Sequence, residues 1–573
     1  MSEETSPQRV AIGISFGNSY SSIAFTTGDG KAEVIANEEG DRQIPTILSY
    51  VSGEEFHGTQ AKAQLVRNPR NTVAYFRDFL GKDFKSIDPT PAHQSAHPKE
   101  HEDSIAFSIK DSEEDVENER TISEITTRHL RRLKNSASDY LGKTVNAAVI
   151  TVPTNFTDSQ KEALTKAAKE AEIEVLQFIN EPVSAVLAYD ARPEAKVSDK
   201  IVLVADIGGT RSDVAVIASR GGMYSILATA HDYEVAGAQL DQVLIDHFAK
   251  EFIKKHKTDP RENDRSLAKL KLESEAVKKA LSIGQSANFS VESLADGIDF
   301  TATVNRTRFE LLANKHIASL TRLITHAVEK AELDVLDVNE IILAGGSSHV
   351  PKIARSVQSA FPEGTTVLAP ATSPASINPS ELAARGAAIQ ASLIQEFETE
   401  DIEQSTHAMV TLAPHISKAI GVLCISESTE HGVFRPLIEA ETPVPVRRTA
   451  QIATPREGGD VLIKICEGIR EIKVEKPEAK PKENGKKDGD DEDEDDSDID
   501  SDEEPEEIRS KVWKAGTALA EAALKGVKKG AKVEVQINVG ADLSVQVVAR
   551  EVGGKGGIRG NIEKPAVTQN GSA

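Results

Sequence analysis

The sequence has few of the residues that cross-link or anchor a chain. Its 573 residues include two cysteines, one tryptophan and three methionines, and aromatic side chains make up only 4%. Two thiols, Cys424 and Cys466, cannot form a disulfide framework, and their spacing fits no zinc-binding pattern. Both lie in apolar runs typical of strands, so we interpret them as small core residues in a reducing compartment.

Long hydrophobic runs are also missing. No stretch approaches the roughly 20 apolar residues of a membrane-spanning helix, and residues 1–8 are polar, without the apolar segment of a signal peptide. We therefore expect a cytoplasmic protein with a disordered N-terminus at 1–8. The 39% of hydrophobic residues is enough to fill several aliphatic cores.

Negative charge is in excess but unevenly distributed. The formal net charge is −24, and residues 488–507 include fifteen acidic residues and no basic one, which leaves about −9 for the rest of the chain. Such a run is typical of a solvated, disordered segment. The alternative interpretation is an acidic docking segment for a basic partner such as a ribosomal protein.

Two glycine-containing hairpins, about 190 residues apart, are the main functional signal. Each alternates apolar residues up to a short turn, as β-hairpins do. Glycine lets the backbone N–H groups of such a turn converge on an anion. The repeat therefore predicts a duplicated core with a phosphate clamp between its halves. The residues concerned are Gly17, Asn18, Ser19 and Tyr20 in the first hairpin, and Asp206, Gly208, Gly209, Thr210 and Arg211 in the second.

Two further segments bear on the same site. Strand 341–344 runs into Gly345, Gly346 and Ser347, with a helix starting near Val350, and this order is an anion-binding arrangement. A second set of polar residues recurs at i, i+3, i+4 and i+7 and so shares one helical face. By itself that face is equally well interpreted as a solvated surface. Its members are Glu275, Lys278, Lys279 and Ser282.

These parts, in this order, resemble the 70-kDa heat-shock protein family. The resemblance also rests on Val152-Pro153 with 156–160, on 179–185 and on 385–388; it is close over 8–395 and loose over 408–550. It implies an α/β, actin-like nucleotide-binding domain made of duplicated ribonuclease-H-like lobes, followed by a small β-sandwich-like domain without a helical lid. The implied boundaries are 9–195 and 196–396 for the lobes, 397–407 for a linker, 408–552 for the β-domain with a disordered acidic insert at 475–508, and 553–573 for a flexible tail.

The resemblance also implies a ligand, which is ATP with Mg²⁺. Both hairpin turns would cradle its β- and γ-phosphates, the face that starts at Glu275 would grip purine and ribose, and the segment 345–347 would pack against the adenosine end. No residue is assigned as catalytic or as a direct metal ligand.

Departures from the family pattern fall on the phosphate-binding residues. Where the family has Asp, Lys and Thr, this chain has Ser15, Arg77 and Arg211, and Thr210 replaces a glycine. Phosphoryl transfer needs neutralised charge and a positioned water, and the planar fork of arginine is no substitute for a compact ammonium group. Loss of one such donor typically costs about 10²–10³ in rate. We therefore predict a pseudo-ATPase in which Arg211 pairs with the bound triphosphate, although Glu181, Asp206 and Asp213 are retained.

Other departures lie further along the chain. Residues 400–407 lack the leucine-rich linker of the family, and only about twenty residues follow the last predicted strand near Arg550, fewer than a helical lid needs. The alanine-rich segment 511–529 is predicted to be a helix inside the β-domain, ahead of strands at 532–538 and 543–550.

Together these departures resemble an atypical fungal branch of the family that pairs with a J-protein of the zuotin type in a ribosome-associated complex. The resemblance implies a co-chaperone for nascent chains that contacts the ribosome through this J-protein and works with a second ribosome-bound chaperone, with no membrane or nucleic-acid site. The alternatives are an active ATP-driven peptide-binding chaperone, a nucleotide-exchange partner of the large heat-shock type, and a sugar or acetate kinase.

Overall fold

The computed structural model describes residues 9–90, 94–102, 104–112, 116–193, 195, 198–398, 400–402, 416, 418–426, 429–440, 442–454, 458–475, 508–554 and 556–562. The chain divides into two compact units, Met1–Leu412 and Ala413–Ala573. Several predicted segments lie outside the described residues: the N-terminus 1–8, residues 403–407 of the linker, and residues 476–507 of the acidic insert.

The first unit alternates strands and helices. Its strands are β1 (Ala11–Phe16), β2 (Tyr20–Thr26), β3 (Ala32–Ile35), β4 (Ile44–Pro45), β5 (Ile47–Val51), β6 (Glu54–His57), β7 (Thr72–Ala74), β8 (Pro98–His101), β9 (Ser104–Ile109), β10 (Asn118–Thr121), β11 (Ala147–Val152), β12 (Glu174–Asn180), β13 (Lys200–Ile207), β14 (Ser212–Arg220), β15 (Met223–Asp232), β16 (Ser286–Ala295), β17 (Ile298–Asn305), β18 (Glu340–Ala344) and β19 (Thr366–Leu368). Its helices are α1 (Gly58–Ala63), α2 (Ile122–Leu141), α3 (Asp158–Glu170), α4 (Glu181–Asp190), α5 (Gly237–His256), α6 (Asp264–Ile283), α7 (Arg306–Lys330), α8 (Pro351–Ser359) and α9 (Leu382–Ile394).

Two mixed sheets of the same topology form the frame of this unit. The first has the order β12-β11-β1-β2-β3 and the second the order β15-β14-β13-β18-β19. In each, the central strand pairs antiparallel with the next strand of a hairpin and parallel with a strand that comes much later in the chain. The hairpin turns β1–β2 and β13–β14 therefore occupy equivalent places in the two sheets.

Helix α9 packs so closely on the first sheet that glycine is required at the contact. A Cβ on Gly13 of β1 would overlap the backbone of Ala388, and one on Gly386 would overlap the backbone of Ser184 in α4. This close approach gives a physical reason for the glycine and small residues of segment 385–388. It fixes α9 against the strand that leads into the first hairpin turn.

In the described residues of the second unit, the regular elements are all strands. They form two four-stranded antiparallel sheets, β21-β20-β23-β24 and β22-β25-β26-β27, whose apolar residues share one core. Cys466 is buried there and Cys424 is half-buried, both as free thiols. The strands are β20 (Ile420–Ser426), β21 (Thr429–Ile438), β22 (Val446–Ala453), β23 (Gly459–Glu475), β24 (Ile508–Val527), β25 (Lys532–Val539), β26 (Val545–Glu551) and β27 (Gly557–Ile562).

Two predictions for this unit are wrong. The segment 511–529 is not a helix, because β24 pairs antiparallel with β23 along its length and buries Leu524 and Val527 in the shared core. The predicted flexible tail from 553 contains β27, which pairs with β26 and packs Ile558 and Ile562 against the same core. The β-structure therefore extends past 552 to residue 562.

Among the described residues, none of the helices combines the length and apolar character that a transmembrane span requires.

Candidate functional site

The structure brings the two hairpin turns into contact. Asn18 Nδ2 donates a hydrogen bond to Thr210 Oγ1 at 3.1 Å, and both side chains are buried. A Cβ on Gly209 would overlap the Ser19 hydroxyl. The Ser19 side chain therefore lies so close to Gly209 that a side chain at position 209 would displace it.

The third glycine segment closes on the second turn. Gly345 has φ +81°, and a Cβ there would overlap Asp206 Oδ1, so the position requires glycine for both conformation and space. Ser347 Oγ donates to the Gly208 carbonyl at 3.1 Å, and Gly237 N donates to the same carbonyl at 2.9 Å. The chain after β18 is thus attached to the turn after β13. Gly346 lies at the edge of this contact, where the nearest atom to an added Cβ is Ser380 Oγ at 3.7 Å.

The polar face of α6 that starts at Glu275 contacts two different parts of the protein. Lys278 Nζ donates to Asp241 Oδ2 at 2.8 Å and to the Gly237 carbonyl at 3.1 Å, so it faces the start of α5. Burial raises the pKa of Asp241 to about 6, against the opposing charge of Lys278. Ser282 Oγ donates to the Lys278 carbonyl within its own helix and joins neither cluster.

The rest of that face meets the first hairpin. The Tyr20 hydroxyl donates to Glu275 and accepts from Lys279 Nζ at 2.8 Å. Lys62 Nζ of α1 lies 2.5 Å from Glu275 Oε2 and 2.6 Å from the Tyr20 hydroxyl. Burial opposes ionisation of Glu275, but the charges of Lys62 and Lys279 outweigh it and hold the pKa of that carboxyl well below its usual range.

Arg211 forms hydrogen bonds with three other side chains of the protein. Its guanidinium makes a two-point contact with Asp213, in which Nε lies 2.6 Å from Oδ2 and Nη2 contacts Oδ1. The remaining donors reach the Tyr233 hydroxyl at 2.9 Å and Asn155 Oδ1 at 3.0 Å. Asn155 follows β11 of the first sheet, so Arg211 links the second hairpin to the first sheet. The sequence analysis predicted that Arg211 pairs with a bound triphosphate. In the structure, Arg211 pairs with Asp213.

Arg77 is buried beside the end of β1. Nε donates to Asp78 Oδ1 at 2.9 Å, while Nη1 lies 3.2 Å from Glu181 Oε1 and 3.3 Å from the Phe16 carbonyl. Burial raises the pKa of Glu181 to about 8 even though Arg77 opposes the shift. Burial, followed by the charge of Asp213, raises the pKa of Asp206 to about 6. Glu181, Asp206 and Asp213 thus form a buried acidic cluster with two guanidinium groups, those of Arg77 and Arg211.

The residues present fit a nucleotide with a hydrated cation. Asn18 Oδ1 beside the turns and Asp241 Oδ1 beside Lys278 are buried oxygens without a hydrogen-bond partner. Such acceptors need donors, which metal-bound water and ribose hydroxyls supply.

Two residues of this cluster were missed from the sequence. Lys62 and Asp241 lie on α1 and α5, far in sequence from the helix α6 that they contact. Nothing in their local spacing pointed to the site.

Comparison with known proteins identifies the family. The family described as Hsp70 protein matches residues 11–479. A 70-kDa heat shock protein homologue of Schizosaccharomyces pombe is 46% identical over 475 residues, covering 82% of this chain and 82% of the relative. The ribosome-associated complex subunit SSZ1 of Saccharomyces cerevisiae is 44% identical over 462 residues, covering 81% and 84%. The heat shock 70 kDa protein 14 of Xenopus tropicalis is 32% identical over 477 residues, covering 82% and 90%.

Members of this family bind ATP with Mg²⁺, and the mixed sheets and helices of the first unit fit its actin-like nucleotide-binding domain. Because the match spans most of the sequence and includes both hairpins, the chain belongs to the Hsp70 family.

Proposed function

We propose that this chain is an ATP-binding, hydrolysis-deficient Hsp70-family co-chaperone that forms a stable complex with a zuotin-type J-protein on ribosomes. In this proposal ATP with Mg²⁺ is a structural ligand, held by the two hairpin turns, by the α6 face and by the segment 345–347. The protein supports the folding of nascent chains through its J-protein and a second ribosome-bound chaperone in the cytoplasm.

One observation carries the absence of hydrolysis: two guanidinium groups bind one acid at the start of α4 and one acid in the second hairpin. Arg77 contacts Glu181, and Arg211 makes a two-point contact with Asp213. Arginine remains charged and its fork matches a carboxylate. Carboxylates bound in this way are not free to orient water or a hydrated cation, on which phosphoryl transfer depends.

A different set of groups, the lysines beside α6, accounts for binding without cleavage in this proposal. Lys62, Lys278 and Lys279 place three ammonium groups beside two carboxylates, Glu275 and Asp241, so the α6 side of the site keeps a positive excess. A positive site attracts a polyphosphate without activating a nucleophile. The unpartnered Asn18 and Asp241 oxygens add places for donors of the bound ligand.

The ribosomal part of the proposal rests on similarity. The yeast relative at 44% identity is a ribosome-associated complex subunit, and the match covers 84% of its length. The partner J-protein, the contact with nascent chains and the cytoplasmic location are proposed from the resemblance that the sequence motifs carry. The acidic run 488–507 is a candidate for electrostatic contact with basic ribosomal proteins.

A single-turnover assay tests the proposal. The purified chain is incubated with Mg²⁺ and radiolabelled ATP, and bound and cleaved nucleotide are counted over hours beside a cycling Hsp70. We expect retained, uncleaved ATP. Cleavage within minutes, stimulated by peptide, would instead support the active peptide-binding chaperone. Pull-down from ribosomes, with and without high salt, then tests the association with a J-protein.

A further inference from the structure

A buried row of side chains connects His57 to the first hairpin turn. His57 Nε2 lies 2.8 Å from His129 Nδ1, and His129 Nε2 lies 2.9 Å from Ser21 Oγ. Ser21 Oγ lies 2.9 Å from Thr46 Oγ1, which donates to the Gly17 carbonyl at 2.8 Å. We call His57, His129, Ser21 and Thr46 the histidine–hydroxyl chain.

The last hydrogen bond sets the direction of all the others. A carbonyl only accepts, so Thr46 uses its single proton on Gly17, and Ser21 must donate to Thr46. Ser21 then has no proton left for His129, so His129 Nε2 is the donor in that pair. In a neutral imidazole the other nitrogen accepts, so His129 Nδ1 accepts from His57 Nε2. Both histidines are therefore Nε2–H tautomers.

Burial keeps both rings neutral. His129 is fully buried and His57 is 7% exposed. Burial, with the charge of Arg132, lowers the pKa of His57 to about 3, and burial lowers the pKa of His129 well below its usual range. The direction of the hydrogen bonds therefore holds at neutral pH.

Thr46 holds two carbonyls of the turn. Besides the side-chain bond to Gly17, its backbone N–H donates to the Ser19 carbonyl at 3.0 Å. The carbonyl of Gly17 and the N–H of Asn18 belong to one trans peptide, which points them in opposite directions. An anchored Gly17 carbonyl therefore also fixes the direction of the Asn18 N–H.

His129 also supports the surroundings of Arg77. Its ring lies 5.7 Å from the Phe16 ring and 5.8 Å from the Phe76 ring. Phe16 provides the carbonyl that Arg77 contacts at 3.3 Å, and Phe76 precedes Arg77 in the chain. One imidazole thus contacts both segments that end at the candidate phosphate site.

We propose that the histidine–hydroxyl chain is a positioning device for the first phosphate-binding turn, and that it sets the affinity for the triphosphate. In this proposal its residues act on the ligand through the Gly17–Ser19 backbone, which Thr46 holds. The inference rests on the proposed ATP binding, so Mg²⁺-ATP binding by the wild-type protein is measured first.

Isosteric removal of the last hydroxyl is the sharpest perturbation. Thr46→Val deletes the bond to Gly17 but keeps volume. The matched control is Thr72→Val, which breaks another buried hydroxyl row in the same unit, where Thr72 pairs with Ser49 at 2.8 Å and donates to the Asn68 carbonyl at 2.7 Å. By calorimetry of the full chain with Mg²⁺-ATP, we expect about tenfold weaker binding for Thr46→Val, which matches one hydrogen bond, and less than a twofold change for Thr72→Val.

A second measurement needs no nucleotide. Nitrogen NMR of the chain labelled at histidine reports each tautomer, and we expect Nε2–H for both His57 and His129 at neutral pH. In Thr46→Val, Ser21 regains a free proton and can donate to His129, so the His129 tautomer should shift while Thr72→Val leaves it unchanged.

The outcomes separate the two proposals. If wild-type protein does not bind Mg²⁺-ATP, the proposed function fails, whatever the histidines do. If wild-type protein binds Mg²⁺-ATP but Thr46→Val binds it as tightly as wild type, the positioning role is wrong. The same follows if Thr46→Val and Thr72→Val lose equal affinity. An Nδ1–H or cationic His129 in wild-type protein would also overturn it.

Discussion

The pair Arg211–Asp213 permits a quantitative prediction about the second hairpin. The two side chains are 7% and 11% exposed and meet at two points. Arg211→Met removes the cation and leaves a buried carboxylate without its partner. Breaking a buried ion pair from one side costs about 3–5 kcal/mol, because the remaining charge stays desolvated. We expect a loss of that size in the free energy of unfolding of the first unit at pH 7.

The double variant Arg211→Met/Asp213→Asn should recover much of this loss. Neutral replacement of both members of a buried pair is often close to neutral in stability, and the new amide adds an unsatisfied polar group worth about 1–3 kcal/mol at most. Urea unfolding of the full chain, followed by circular dichroism, measures all four variants of the cycle. The contacts of Arg211 with Tyr233 and Asn155 are lost in both variants and so cancel in the comparison.

A small effect would refute this reasoning. If Arg211→Met costs less than about 1 kcal/mol, or if the double variant loses the sum of both single losses, the buried pair does not hold the hairpin. Lys161→Met is the control, because Lys161 pairs on the surface of α3 with Asp158, which is 92% exposed, and such a pair contributes little.

Three further predictions concern the same site. Gly345→Ala forces a side chain into a φ of +81° against Asp206. Strain of this kind costs about 1–3 kcal/mol, so Mg²⁺-ATP binding should weaken about 5- to 150-fold by calorimetry. Unchanged affinity would mean that this turn is not at the ligand. Glu181→Gln should flatten the pH dependence of the free energy of unfolding. With its pKa raised to about 8, Glu181 binds its proton more tightly in the folded than in the unfolded protein, so wild-type stability falls as pH rises from about 4 to 8. An equal change of melting temperature with pH in the variant and in wild type would contradict this. Lys62→Met removes the ammonium group between Tyr20 and Glu275. A charged hydrogen bond contributes about 1.5 kcal/mol or more, so nucleotide release should be about tenfold faster in stopped-flow fluorescence. An unchanged release rate would mean that this cluster does not bind the nucleotide.

Local signals predicted the elements near the site well. Strand β11 is an almost continuous apolar run, and Thr157 caps α3 together with Gln160 as a capping box. Alternation and capping act between residues a few positions apart, so a sequence displays them directly. The same holds for the glycines of both hairpins, since apolar alternation around a glycine turn is a local pattern.

The alanine-rich segment shows where local reasoning fails. Residues 511–529 have helical composition, yet β24 places Ala520 opposite Ile465 and Ala522 opposite Ile463 in a long antiparallel pair. Helix propensity is a weak preference of at most about 1 kcal/mol per residue for ordinary residues. Ladder bonds and burial of Leu524 and Val527 outweigh it.

By itself, the sequence determined the positions of the two turns, the charge excess and the family motifs, because each depends on neighbouring residues. Only the tertiary structure decided which acid each arginine binds, how Lys62 reaches Tyr20 and Glu275, and that two histidines lead to Gly17. Those contacts join residues up to about 200 positions apart. Their partners are selected by the packing of two sheets and their helices, which no short window of sequence contains.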